Sequence, residues 1–213
     1  MPFSRPRVEV FSRRASRYDL WYDENRLTYL SELKLITSLS SFPSPSLEVG
    51  VGTGRFAQPL RIGFGLDPSL PMLRIAQKRG IKAVQGVGES LPFRWGAMAS
   101  SLLAITLCFL EDPRAAFDEI YRVLYPGGEV VVAFIDKNSA WGNFYRKKES
   151  PFYKVARFYS YEEVEDMLKK SGFTLERVAQ TLFRRPDQRE ELELPSPGRG
   201  RGSFVGVLAR KPY

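Results

Sequence analysis

The alternation of strand and helix patterns from about residue 45 onward is the feature that most constrains this 213-residue chain. Short apolar segments alternate with amphipathic ones, which is typical of a parallel sheet with helices on both faces. Residues 102–108 form a predominantly apolar run, as expected of a central strand that is covered on both faces. The pattern therefore predicts an α/β fold with a doubly wound, mostly parallel sheet.

Seven strands and several helices can be placed on this pattern. The predicted strands are residues 47–50, 62–67, 81–85, 102–108, 130–135, 173–183 and 203–209. The last two have no helix between them, only a charged loop over 184–202, so they should pair antiparallel. Helices are predicted over about 18–40, over 69–79, after Asp112 and Pro113, and after a capping box of Ser160 and Glu163. In the first helix, an apolar stripe is expected at Leu27, Leu30, Leu33, Ile36 and Leu39.

The scarcity of histidine and cysteine limits the reactions and metal sites that the chain can support. The chain has no histidine and one cysteine, Cys108. An intramolecular disulfide, a zinc cage of His and Cys, and any nucleophile–imidazole relay are therefore excluded, and we expect no metal. Residues 1–10 lack an apolar signal core, and the apolar stretch over 102–110 is too short to cross a bilayer. We expect a cytoplasmic protein.

The net charge of +8 is unevenly distributed. Residues 1–17 carry five arginines against Glu9, and residues 140–160 carry five basic side chains against Glu149, so each segment is +4. The simple interpretation is a solvated basic surface, because basic excess alone usually reflects solubility and nonspecific attraction. The second segment also contains many aromatic residues, which makes it a candidate acceptor-binding region.

The first predicted strand leads into a glycine-rich turn, Glu48-Val49-Gly50-Val51-Gly52-Thr53-Gly54-Arg55. Three alternating glycines allow a ligand to approach bare backbone. A dinucleotide-binding turn would have Gly or Ala at position 55, and a phosphate-binding loop would have a lysine after the glycines. The sequence has Arg55 and no such lysine, which disfavours both.

An acidic residue, Asp67, ends the second predicted strand. The carboxyl ends of parallel strands meet at one edge of the sheet, so this carboxylate should lie beside the glycine turn. A carboxylate in that place can accept hydrogen bonds from both hydroxyls of a ribose. The pattern therefore favours a nucleoside ligand.

Two further motifs lie next to the third and fifth predicted strands. Gly86-Val87-Gly88-Glu89-Ser90-Leu91-Pro92-Phe93 follows the third strand, and residues 122–128 (RVLYPGG) precede the fifth. With the glycine turn and Asp67, they make the chain resemble class I S-adenosylmethionine-dependent methyltransferases over about residues 11–182. The resemblance is strongest to the small-molecule group that includes the ubiquinone and menaquinone C-methyltransferases.

The resemblance implies a domain organisation. It implies one Rossmann-like methyltransferase domain over residues 1–213, with a seven-stranded sheet whose last strand is antiparallel. Residues 1–40 would form an N-terminal helical lid, and residues 137–160 a basic, aromatic cap on the substrate side. Residues 184–202 would be the charged loop between the last two strands.

The resemblance also implies a set of cofactor-binding residues. Glu48 would lie near the ammonium of the cofactor's methionine part, and the glycine turn would cradle that part. Asp67 would bind the ribose diol. Val87 replaces an Asp that often binds the adenine amino group in the family, so Glu89 or backbone would have to substitute for it. The complete implied set is Tyr18, Trp21, Glu48, Gly50, Gly52, Thr53, Gly54, Asp67, Pro68, Ser69, Met72, Gly88, Glu89 and Thr106.

The activity implied is methyl transfer from S-adenosylmethionine to a small acceptor by in-line displacement. The acceptor could be an anionic molecule. Residues 106–112 lack the Asn/Asp-Pro-Pro-Tyr/Phe motif of enzymes that methylate exocyclic amines of bases or glutamine amides. Two alternatives remain open, namely methylation of RNA or protein and a non-catalytic S-adenosylmethionine-binding protein. The sequence assigns neither a general base nor an oligomeric state.

Overall fold

The computed structural model describes residues 5–188 and 191–213, and within them a single sheet carries helices on both faces. The helices are α1 (Arg5–Arg13), α2 (Ala15–Glu24), α3 (Arg26–Leu39), α4 (Leu70–Lys78), α5 (Pro113–Val123), α6 (Ala140–Lys147) and α7 (Tyr161–Lys170). The strands are β1 (Ser46–Val49), β2 (Phe64–Asp67), β3 (Lys82–Gln85), β4 (Met98–Ala104), β5 (Leu124–Ile135), β6 (Thr174–Thr181), β7 (Ser196–Pro197) and β8 (Phe204–Arg210).

The strand order is β3-β2-β1-β4-β5-β8-β6-β7. Strands β1 to β5 pair in parallel, whereas β8 runs antiparallel to both β5 and β6. The predicted mostly parallel sheet with antiparallel C-terminal pairing is confirmed, and the two-residue β7 is an addition within the predicted loop 184–202. The order reverses between β1 and β4, which is where ligand crevices open in such sheets.

The core has one layer on each face of the sheet. On β4, Leu103 packs in the layer under α5 and α7, and its neighbour Leu102 packs in the opposite layer with α3 and α4. Both leucines are fully buried. Because successive side chains of a strand point to opposite faces, a central strand must be apolar at nearly every position. This explains the apolar run that the sequence shows.

Two strand boundaries differ from the prediction. Strand β4 ends at Ala104 and not at residue 108, because Ile105 adopts a left-handed backbone (φ +55°) that turns the chain out of the sheet into a short 3₁₀ helix, Leu107–Phe109. Strand β5 begins at Leu124, well before residue 130, because Leu124 pairs with Met98 at the start of β4. The helix before it nevertheless ends, as predicted, ahead of the Pro-Gly-Gly segment.

The N-terminal region departs most from the sequence prediction. The single helix expected over 18–40 is wrong, since helical structure already begins at Arg5 and is divided into α1, α2 and α3. The predicted leucine stripe is only partly buried: Leu27 is 37% exposed, whereas Ser31 is buried. Ser31 can be buried because its hydroxyl donates to the Leu27 carbonyl (2.8 Å) and accepts from the Glu193 N–H (2.9 Å).

Local capping signals were predicted correctly. The Asp112 carboxylate accepts the Ala115 N–H at the start of α5, and Ser160 and Glu163 form a complete capping box on α7. The expected cap over 137–160 consists of α6 and a 3₁₀ turn, Tyr153–Val155. Residues 1–4 of the expected lid and 189–190 of the expected loop lie outside the described residues. None of the helices described is both long and apolar enough to cross a membrane.

Candidate functional site

A cleft of about 790 Å³ opens at the carboxyl ends of β1, β2 and β4, and we call it the glycine-turn cleft. Its lining includes most of the residues implied by the sequence, together with part of α1 and the chain after β4. The implied residues that line it are Tyr18, Gly50, Gly52, Asp67, Pro68, Ser69, Met72, Gly88, Glu89 and Thr106. The predicted motifs therefore meet at one place in the fold.

Two glycines of the turn have different roles. Gly50 and Gly52 both have left-handed backbones, with φ of +74° and +51°. A Cβ atom at Gly50 would lie 2.2 Å from Cγ2 of Thr106, so the turn and Thr106 are packed with no room for a side chain. A Cβ atom at Gly52 would contact only Cε1 of Tyr18, at 3.6 Å. Gly50 is thus required by internal packing, whereas Gly52 presents bare backbone to the cleft.

Asp67 is held rigidly at the end of β2. Its Oδ2 accepts the Gly52 N–H (3.0 Å) and its Oδ1 accepts the Ser69 N–H (2.9 Å). Burial raises the pKa of Asp67 to about 6, even though both backbone donors favour the ionised form. Each oxygen keeps a further lone-pair direction for a ligand. The carboxylate is therefore a fixed double acceptor in the cleft.

Glu48 lies beneath the glycine turn and not in the cleft lining. It is 1% exposed, and its Oε2 has no hydrogen-bond partner among the described residues. Burial raises the pKa of Glu48 well above its usual value, and the nearby Asp67 charge adds to this effect. A buried carboxyl with an unused oxygen beside the cleft is suited to a cationic ligand group.

Two other implied residues, Thr53 and Gly54, do not line the cleft. A Cβ atom at Gly54 would face Ala76 of α4 and Ile81 at 3.4 Å, on the opposite side of the turn. The Thr53 carbonyl accepts a hydrogen bond from Arg79 (2.6 Å). Both residues therefore support the shape of the turn, and their direct contact with a cofactor stays a prediction.

Helix α1 belongs to the segment 1–40 that was expected to form a lid, and it contributes Arg7, Val8 and Phe11 to the lining of the cleft. Arg7 donates to the Leu110 carbonyl (2.6 Å), and its guanidinium lies 3.4 Å from the Glu111 carboxylate. Phe11 stacks edge-on against Phe109 with ring centroids 4.7 Å apart. These contacts connect residues about a hundred positions apart, and the only sequence signal was the basic, partly apolar composition of residues 5–13.

Helix α2 is fastened to the glycine turn by a charged cluster. The Asp19 carboxylate accepts from Arg55 (Nε, 2.9 Å) and from Arg79 (Nη1, 2.8 Å), and Asp23 adds a second carboxylate to Arg55. Burial would raise the pKa of Asp19, but the two guanidiniums hold it well below its usual range. Arg55, which departs from the dinucleotide pattern, therefore joins the lid to the turn.

Glu89 borders the cleft but is partly committed to backbone. Its Oε1 accepts the N–H groups of Glu111 (2.8 Å) and Asp112 (3.3 Å). Val87, at the position where the family often has an Asp, is also part of the cleft lining. Through its two hydrogen bonds to backbone N–H groups, the side chain of Glu89 fixes the loop that carries Glu111.

A second cavity, of about 1150 Å³, adjoins the cleft, and we call it the aromatic cavity. The two share the wall residues Phe11, Tyr18, Ile105 and Phe109. Trp21 lines this cavity and not the cleft, and its contact with the cofactor stays a prediction. The aromatic side chains of the lining are Phe11, Tyr18, Trp21, Tyr22, Phe109, Phe134, Tyr145, Phe152, Tyr153, Phe158 and Tyr159.

Tyr18 occupies the junction of the two spaces. Its hydroxyl lies 2.8 Å from the hydroxyl of Tyr22. Burial raises the pKa of Tyr18 well above its usual value, and the charges of Asp67 and Glu48 raise it further. The hydroxyl therefore stays protonated and can donate a hydrogen bond, but it is a poor general base.

The basic, aromatic cap contributes selectively to the aromatic cavity. Tyr145, Phe152, Tyr153, Phe158 and Tyr159 line it, whereas Trp141 and Tyr161 are buried elsewhere in the core. Of the cap's basic side chains, the lining includes Lys148 alone. Arg146 and Lys147 do not line the cavity, and Arg146 hydrogen-bonds Asn143 of its own helix (2.6 Å).

A nucleoside-binding α/β domain is the class that this fold and cleft define. Comparison with known proteins narrows the class. A family model described as a methyltransferase domain matches residues 47–132. The chain is similar to a protein of Thermotoga maritima whose crystal structure is described as a SAM-dependent methyltransferase, possible histamine N-methyltransferase. They are 41% identical with a TM-score of 0.91, and the match covers 96% of this chain and 99% of that one.

The chain is also similar to two curated proteins. A protein of Methanocaldococcus jannaschii without an assigned function is 41% identical over 207 residues, which is 96% of this chain and 100% of the relative. The demethylmenaquinone methyltransferase of Thermus thermophilus is 31% identical over 141 residues, 58% of this chain and 63% of the relative. The chain belongs to the S-adenosylmethionine-dependent methyltransferase family, and its cofactor is S-adenosylmethionine.

Proposed function

We propose that the protein transfers the methyl group of S-adenosylmethionine to a small molecule, with the cofactor in the glycine-turn cleft and the acceptor in the aromatic cavity. The observation that carries the proposal is the wall that the two spaces share. Phe11, Tyr18, Ile105 and Phe109 border both. A cofactor in the cleft can present its methyl group where the two spaces adjoin, and an acceptor in the aromatic cavity can attack that methyl group from the opposite side.

The residues of the cleft fit the chemical parts of the cofactor. Asp67 would accept both ribose hydroxyls, with Pro68, Ser69 and Met72 beside the adenosine. Gly88 and Glu89 would border the adenine. This assignment is supported by the fixed double-acceptor geometry of Asp67 at the end of β2.

The methionine part of the cofactor would lie against the glycine turn. Gly52 presents bare backbone there, and Thr106 holds the turn in place by donating to the Gly50 carbonyl (3.2 Å). The unused Oε2 of Glu48 would face the ligand ammonium, directly or through water. Thr53 and Gly54 would act only through the shape of the turn.

When bound, the cofactor supplies a methyl group activated by a sulfonium, which is transferred by in-line displacement. The tasks left to the protein are to align the acceptor and to exclude water. Good alignment alone can lower a barrier by about 7–11 kcal/mol. Arg7 and Phe11 of α1, together with Tyr18 and Trp21 of α2, would serve both tasks by covering the site.

A small acceptor is favoured because the aromatic cavity lies under the lid. Its lining is mainly aromatic and apolar with a few polar groups, as is usual for small-molecule sites. Arg7 ties α1 to the loop after β4, so an RNA or protein acceptor would require the lid to open. Because Tyr18 and Tyr22 both have strongly raised pKa values, neither would remove a proton from the acceptor.

The test is mass spectrometry of the purified protein for carried S-adenosylmethionine or S-adenosylhomocysteine, followed by transfer of labelled methyl groups to small acceptors and to total RNA. We expect the cofactor to co-purify and label to enter a small molecule. Label in RNA would favour the macromolecular alternative. Cofactor binding without transfer to any acceptor would favour the non-catalytic one, and tighter binding of NAD would refute the assignment of the cleft.

A further inference from the structure

The charges around the aromatic cavity are arranged asymmetrically. Lys148 and Arg17 are exposed, whereas the carboxylate-bearing Glu32 is 2% exposed. Arg17 is paired with Glu24 at 2.7 Å, so its charge is largely offset. The described residues place no carboxylate in an ion pair with Lys148, whose Nζ lies 5.5 Å from the centre of the Phe144 ring. Lys148 is therefore the basic group of this cavity that is most open to a ligand.

We propose that the aromatic cavity binds a flat aromatic acceptor carrying one anionic group, with that group at Lys148 and the ring against the aromatic walls. This inference rests on the proposed function, because it identifies the chemical class of the acceptor. Of the five basic side chains over residues 140–160, it assigns contact with the anionic group to Lys148.

The geometry of the walls favours a planar ring. Tyr145 and Tyr153, which both line the cavity, are stacked with centroids 4.4 Å apart and an interplanar angle of 28°. Phe11 and Phe152 meet at 5.1 Å with a tilt of 47°. Aromatic ligands gain from offset-stacked or edge-on contacts with such rings beyond the area they bury.

The charge asymmetry fixes the orientation. An anion placed in the buried part of the cavity near Glu32 would lose its hydration, because both basic side chains of the lining, Arg17 and Lys148, lie at the exposed edge. At the exposed edge the same anion meets the ammonium of Lys148 and keeps part of its hydration. The anionic end should therefore lie outermost and the remainder of the ring system should extend inward to the wall at Tyr18.

The experiment compares phenylacetate with two probes that each differ from it in one property. Cyclohexylacetate lacks the aromatic ring, and benzylamine carries the opposite charge. Each is titrated calorimetrically into the full chain, with and without saturating S-adenosylhomocysteine. Lys148→Gln is the test variant. Lys147→Gln is its matched control, because Lys147 is the adjacent exposed lysine and lies outside the cavity lining.

We expect phenylacetate to bind more tightly than the other two probes, and Lys148→Gln to weaken it about three- to tenfold, a range set by the exposure of the lysine. Lys147→Gln should change it less than twofold. Tighter binding of benzylamine would overturn the anionic class and favour an amine acceptor.

Equal binding of the cyclohexyl probe would overturn the aromatic class, and equal effects of the two lysine variants would overturn the role of Lys148. The absence of binding by all three probes would overturn the inference. A separate titration of S-adenosylhomocysteine into the full chain distinguishes failure of the proposed function. A protein that binds the probes but not S-adenosylhomocysteine would contradict the proposed function, whereas the reverse result contradicts only this inference.

Discussion

Replacement of Asp67 by Asn tests the nucleoside site with almost no change of shape. Each carboxylate oxygen of Asp67 accepts one backbone N–H, from Gly52 (3.0 Å) and from Ser69 (2.9 Å). The amide nitrogen of Asn is a donor, so one of these N–H groups would face another donor. The variant thus loses the charge, one backbone hydrogen bond and one of the two ribose acceptors.

Hydrogen bonds to a charged group contribute about 1.5–3 kcal/mol, so affinity for S-adenosylhomocysteine should fall about ten- to a hundredfold. Isothermal titration calorimetry measures this directly, and circular dichroism verifies the fold. The control is Glu111→Gln, which alters a carboxylate at the exposed edge of the same cleft and should cost less than about threefold. Equal affinities for Asp67→Asn and the wild type would refute the ribose assignment.

The raised pKa of Asp67 adds a pH dependence to this prediction. Between the ordinary value of 3.8 and about 6, the folded chain holds a proton at Asp67 that the unfolded chain has released. Stability should therefore decline as pH rises through this window, and Asp67→Asn should remove that contribution. Cofactor affinity should change in the opposite direction, falling as pH falls through about 6, because the ionised carboxylate is the better acceptor. A pH profile of the variant identical to that of the wild type would contradict both statements.

Three further predictions concern the turn and the lid. Because burial raises the pKa of Glu48 well above its usual value, an ammonium bound beside it should lower that pKa and release protons, measurable by calorimetry in buffers of different ionisation enthalpy. Glu48→Gln should reduce this release, and an unchanged release would exclude this carboxyl. Asp19→Asn should loosen α2 and speed hydrogen exchange of its amides by roughly tenfold, whereas unchanged exchange would show that the charged cluster does not hold the lid. Gly50→Ala should destabilise the fold by about 3 kcal/mol and Gly52→Ala by about 1–2 kcal/mol, so equal losses in thermal unfolding would contradict their different environments.

The features that the sequence predicted correctly are local ones. The glycine turn, Asp67 and the capping box of α7 depend on a few adjacent residues and on the rule that parallel strands end at one edge of the sheet. The central strand was recognisable because both of its faces are buried. Its end was misplaced because the left-handed turn at Ile105 has no sequence signal, as it is neither Gly nor Asn.

The features that could not be predicted depend on contacts between distant segments. Arg7 reaches the carbonyl of Leu110, and Arg55 binds Asp19, 36 positions earlier. Composition gives the number of basic side chains in the cap, but not that Lys148 lines the aromatic cavity while Lys147 does not. Such distinctions are set by how α1, α2 and α6 pack on the sheet.

A crystal structure of the protein with S-adenosylhomocysteine and phenylacetate tests the central claim most directly, because both spaces are then occupied at once. We expect the ribose diol on the Asp67 carboxylate, the methionine part along the glycine turn, and the ligand sulfur directed past Tyr18 toward the aromatic cavity. Density for S-adenosylhomocysteine outside the glycine-turn cleft, or with its sulfur directed away from the aromatic cavity, would contradict the central claim.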